Sequence, residues 1–421
     1  MPTVDVAATA HDTEEATASL PSHPGRGWGE GFSRGLERRR SKRFVARPLW
    51  HATRRDDVVS IVVGAWLAVG LFVDGWAHNN LRSLETFFTP WHGLLYSGFL
   101  ATALWYFGLA VRGARRRADA PSRLESVEPR PTESCSALVR HGLTGRIPVG
   151  YGWGIAGTFV FGVGGLSDMI WHIAFGIEQG IDALFSPTHL ILAIGLISIL
   201  GAPFRAAWQA APTESPPRLT DLLPAIASAS LVAATIAFFF MHAWPTIRPF
   251  HVGRGASSFA YAGGDVRAAA ISAGTGGMLV MTLVMVGALL WMLVRWRLPL
   301  GAATIVFGTV ATLMAGIGAF AQWPLVIAQL GAGALADILA RRLDPSPDRP
   351  GVFRVYAGLV ALELWTMVFA TEFATRGLGW SREVNGGAIA WCCVAAIGLA
   401  MALTTHHIPD VARRGLPVGN G

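Results

Sequence analysis

Two short stretches carry residue types that can do chemistry: "DGWAHNNLRSLETFFTPWH", residues 74–92, and "DMIWHIAFGIEQGIDALFSPTH", residues 168–189. They lie about 95 residues apart. Each reads Asp, three residues, His; then a Glu; then an aromatic, Ser or Thr, Pro, any residue, His. Asp74 and His78 are i and i+4, so a helix places both on one face near its end; Asp168 and His172 repeat this. Thr89-Pro90 and Ser186-Pro187 have the form of an N-cap and first helical residue. That puts His92 and His189 in the first turn of a returning helix, where a hairpin gathers one Asp and two His. Such a set suits copper, iron or zinc, and two His plus one carboxylate with open positions points to non-haem iron. A single copy reads equally well as a helix-end ion pair beside an ordinary helix start; two copies favour metal. Glu85, Glu178 and Asp182 are either partners that orient the imidazoles or polar loop residues.

The elements that must position these residues are membrane spans. The 421 residues are 52% hydrophobic and only 14% charged, with mean hydropathy +0.43. Soluble domains carry about 25% charged residues. A net charge of +7 reflects arginines flanking spans and does not indicate nucleic acid. About 20 apolar residues cross a hydrocarbon core, and ten stretches qualify, near 57–78, 89–111, 151–174, 187–208, 219–242, 273–294, 299–320, 322–340, 354–374 and 385–405. The seventh and eighth, joined through "AQWP", have the option of forming one re-entrant unit. Arginines cluster after every even-numbered span, as at 112–117, 205, 295–297, 341–342 and 413–414. The positive-inside rule then places both termini in the cytoplasm.

The expected fold is an all-α integral membrane protein of about ten transmembrane helices with a duplicated two-helix hairpin, in the cell membrane. Residues 1–55 read as a basic, disordered cytoplasmic tail without a secretory signal. Residues 56–210 hold the duplicated hairpins, 211–408 the remaining bundle and 409–421 a second tail. Two copies in one orientation imply a pseudo-two-fold axis along the membrane normal. This topology puts His78, His92, His172, His189, His242 and His251 on the extracytoplasmic side.

These residues resemble a known motif. Asp-x-x-Trp-His in "DMIWH" and the helix start in "FFTPWHGLLY" are similar to the C subunit of the copper membrane monooxygenases, the particulate methane and ammonia monooxygenases. The resemblance covers about 60 of the 421 residues. It implies that Asp168, His172 and His189 form one ligand set and Asp74, His78 and His92 another. It further implies copper, a small apolar substrate and partner subunits in the membrane or periplasm. The family carries the motif once, and its subunit has fewer spans. The histidines here are separated by 13 and 16 residues, and no cupredoxin-like segment accompanies them.

Other constellations are weaker. Met241, His242 and His251 flank "AWPTIRPF" and could offer a soft site, but they lack the Asp and the helix start. The following glycine-rich loop has no phosphate-binding lysine. Glu363, mid-span, is a candidate proton relay; Glu372 and Asp337 sit near span ends and read as structural. Trp171 either shapes a pocket beside His172 or packs. Cys135, Cys392 and Cys393 form no zinc spacing and read as packing residues. Two functional classes stand: a copper- or iron-dependent oxidoreductase, and a transporter of a metal ion or proton-coupled solute. A membrane scaffold is the third reading. Ionisable groups are concentrated at one side, which favours a site over a conduit.

Overall fold

The computed structural model describes residues 50–81, 88–118, 147–176, 181–211, 216–248 and 264–405. Among them all regular structure is helical, without a β-strand. The order is α1 Arg54–Asn80, α2 Pro90–Ala118, α3 Gly152–Phe175, α4 Ile181–Phe185, α5 Pro187–Leu200, α6 Ala202–Gln209, α7 Leu219–Phe239, α8 Gly264–Arg295, α9 Ala302–Ile317, α10 Trp323–Leu343, α11 Pro350–Thr375 and α12 Arg382–Thr405. The protein is an all-α, multi-pass membrane protein: eight of these helices are long and apolar enough to cross a bilayer. The expected fourth span is a broken one, α5 and α6 meeting at 42°. The expected seventh is the 16-residue α9, which at 1.5 Å per residue covers about 24 Å and falls short of a roughly 30 Å core.

The outer surface is apolar where a soluble protein would be polar: Phe107, Phe159, Ile173 and Trp391 are all more than 60% exposed. Helix pairing then rests on close approach between small residues. The α1–α2 hairpin brings Gly98 against the backbone of Leu67 and Gly70 against that of Leu95. The α3–α5 hairpin brings Gly195 against Phe161 and Gly164 against Leu192. Counted from Asp74 and Asp168, and from His92 and His189, these are the same positions, so the two hairpins pack in the same register. One buried cluster, with Leu67, Tyr106, Phe161 and Leu196, is centred on these four helices and reaches Leu231 of α7. A second, with Phe307, Tyr356 and Trp365, fills the α7–α12 part. α7 and α9 both pack on α1 and join the two.

α9 and α10 fold back on each other and are two antiparallel helices, with Thr304 facing Gly333 and Gly308 facing Leu330. Ala319 and Phe320 take the left-handed conformation in the turn between them. Asp337 explains itself here. The N-cap of α9 is Gly301, which has no side chain to offer. Asp337 reaches across from α10 and accepts from the Ala303 and Thr304 amides and the Thr304 hydroxyl at 2.7 to 3.1 Å. It caps a neighbouring helix. Cys392 is buried in α12 and Cys393 partly so, both as free thiols among packing residues.

Candidate metal centre

Hairpin geometry delivers each triad from three local choices. Asp74 and His78 project one turn apart from the last turns of α1, and Asp168 and His172 from those of α3. Thr89 and Ser186 cap α2 and α5, their hydroxyls accepting from the His92 and His189 amides. The glycine contacts then hold the two helices of each hairpin close enough for the histidines to meet the aspartate.

The distances inside each triad are unlike those of ordinary hydrogen bonds. Nε2 of His78 and His92 lie 3.8 and 3.6 Å from Oδ2 of Asp74. Nε2 of His172 and His189 both lie 3.5 Å from Oδ1 of Asp168. N–H···O bonds cluster at about 2.9–3.0 Å. Two donors that each sit about 2.1 Å from one tetrahedral ion are about 3.4 Å apart. The three donor atoms of each triad fall within 4.8 Å of one another. The two rings of each triad meet edge to face, with centroids 5.5 and 5.8 Å apart. Both sets of residues could therefore hold a metal ion.

All six residues line one cavity of about 290 Å³. The rest of its wall is largely apolar and includes Leu71, Phe161, Leu196 and Phe238. Asp74, His92, Asp168 and His172 are buried. Carboxylates withdrawn from water in this way need a compensating proton, donor or cation.

No protein-family model, curated protein or solved structure matches this chain.

Met241 and His242 also line the cavity, and the Met241 sulfur accepts from Nδ2 of Asn79 at 3.3 Å. The only groups of three His, Cys, Asp or Glu side chains placed to hold a metal among the described residues are the two triads. His251, Glu85 and Glu178 lie outside the described residues, as does the side chain of Asp182. Glu363 is on α11 with Oε1 buried and unpaired, and it is not part of the cavity wall. Trp171 packs on Phe175 and also stays off the wall. Glu372 is fully buried.

Sequence reasoning missed Thr188, Tyr96, Asn79 and Arg248, all but Thr188 on the cavity wall. Thr188 donates to Oδ1 of Asp168 at 2.9 Å. Its signal was present in "SPTH", where the residue between Pro and His was treated as free to vary. Tyr96 stacks on His92 one turn further along α2, a spacing that a reading centred on histidine passes over.

Proposed function

We propose that this chain is a membrane metalloprotein whose two Asp–His–His triads each hold a copper or iron ion on the wall of one cavity. The cavity admits a small apolar molecule for oxidation. The carrying observation is that both triads, each with His–Asp distances of 3.5 to 3.8 Å, open on the same largely apolar cavity. A bound ion there would supply redox chemistry with dioxygen. The chain's own residues set the ligand geometry, exclude bulk water and hold the apolar guest beside the ligands. The resemblance of the motif to the C subunit of copper membrane monooxygenases supports a monooxygenase-like reaction, with electrons arriving from partner subunits in the membrane or periplasm. The arginine distribution supports a cell-membrane location with the cavity toward the extracytoplasmic face and both termini inside.

A carrier would continue the polar lining inward. Here Leu71, Leu196 and Phe238 form much of the remaining wall and Glu363 stands apart from it, which favours a site over a path. The test is metal analysis of the purified protein, wild type against the paired variants His172→Ala/His189→Ala and His78→Ala/His92→Ala. Wild type is expected to carry two ions per chain and each pair of substitutions to remove one. A wild type free of copper and iron after both reducing and oxidising preparation sinks the reading.

A further inference from the structure

The two triads share a donor set but differ in what supports it. In the second, every ligand is anchored. Nδ1 of His172 lies 3.3 Å from the Gly176 carbonyl, Nδ1 of His189 lies 2.6 Å from the Ser186 hydroxyl, and Asp168 accepts from Thr188. In the first, Nδ1 of His92 meets the Thr89 hydroxyl at 2.9 Å, no side-chain hydrogen bond holds His78 among the described residues, and Oδ1 of Asp74 is buried without a partner. At the aspartate the difference traces to one position. Thr188 precedes His189, whereas Trp91 precedes His92 and packs its ring on Trp76, 5.5 Å away. Trp91 has no hydroxyl to give Asp74.

A chain of hydroxyls links the ligands of the second triad. The Thr188 hydroxyl gives its proton to Asp168. It also lies 3.2 Å from the Ser186 hydroxyl. The Ser186 oxygen lies 2.6 Å from Nδ1 of His189. When a metal binds, Nδ1–H of His189 donates to Ser186 and Nε2 turns its lone pair to the ion, the tautomer a metal ligand needs.

On the reading that the triads bind metal, we propose that the two sites are unequal. Asp168, His172 and His189 form a tight, pre-oriented site. Asp74, His78 and His92 form a labile one, whose aspartate has one oxygen that no donor holds and whose ion exchanges more readily. Partners of this kind are worth about 10- to 100-fold in metal affinity, and that is the separation expected between the two binding steps.

The test uses the full chain in lipid nanodiscs, stripped of metal and titrated with Co²⁺, read by its visible bands and by bound metal after dialysis. Wild type is expected to show two steps separated by about 10- to 100-fold. Thr188→Val should weaken the tight step about tenfold or more and leave the weak one in place, and Thr188→Ser should restore it. Asp74→Asn should remove only the weak step, and Trp91→Thr should tighten it. Two equal steps in wild type, or a tight step untouched by Thr188→Val but lost in His78→Ala, would overturn the assignment while leaving metal binding intact. No Co²⁺ bound by wild type would overturn the metal reading itself.

Discussion

Gly195→Ala tests whether the glycine contacts set the metal geometry. A Cβ at Gly195 would sit 2.7 Å from the Phe161 nitrogen and 2.8 Å from its Cα. These are backbone atoms, so no rotamer change relieves the clash. Ordinary contact begins near 3.4 Å, so α3 and α5 must part by about 0.7 Å. Ligand constellations tolerate about 0.5 Å. The displacement acts six residues from His189, about 9 Å along α5, between the helices that carry Asp168 and His189. The expected result is a loss of about 1–3 kcal/mol in stability from overpacking, with the ion of the second triad lost and that of the first retained. Gly98→Ala, 2.7 Å from the Leu67 backbone, should do the reverse. Gly93→Ala is the control, because nothing lies within 4 Å of its Cβ position. Bound metal per chain and thermal unfolding of monodisperse protein are the readouts. If Gly195→Ala keeps its full metal content and melts no lower than Gly93→Ala, the packing register does not position the site.

Three further outcomes are expected. Asp337→Ala strips α9 of its only side-chain cap and should cost about 1–3 kcal/mol, seen as a lower unfolding temperature with metal content unchanged. Glu363→Gln should leave both bound metal and proteoliposome uptake of protons or copper at wild-type levels, since the residue is off the cavity wall; a large change in uptake would restore the conduit reading. Ala193 lines the cavity one turn beyond His189. Ala193→Phe should fill that space, keep the metal and abolish binding of xenon measured by NMR, whereas unchanged xenon binding would show that the guest sits elsewhere.

Much of the site was legible because its determinants are local. An Asp and a His at i and i+4 share a helix face whatever surrounds them, and Thr-Pro or Ser-Pro starts a helix through its own hydroxyl and fixed φ. Apolar runs of span length announce themselves through composition, so the helices were found, and only α5–α6 and α9 departed from simple spans. The break at Gly201 and the shortness of α9 depend on neighbours: Ser228 of α7 bonds the Leu200 carbonyl, and Asp337 of α10 takes the end of α9.

Sequence alone thus determined that the chain crosses a membrane and that two hairpins each gather an Asp and two His. Tertiary structure decided that the two triads face one cavity, since the contact between the hairpins is made by residues far apart in the chain. It also decided that Thr188 supports one aspartate while Asp74 keeps a bare oxygen. A hydroxyl at that position matters only once a second helix has brought a carboxylate within 2.9 Å of it.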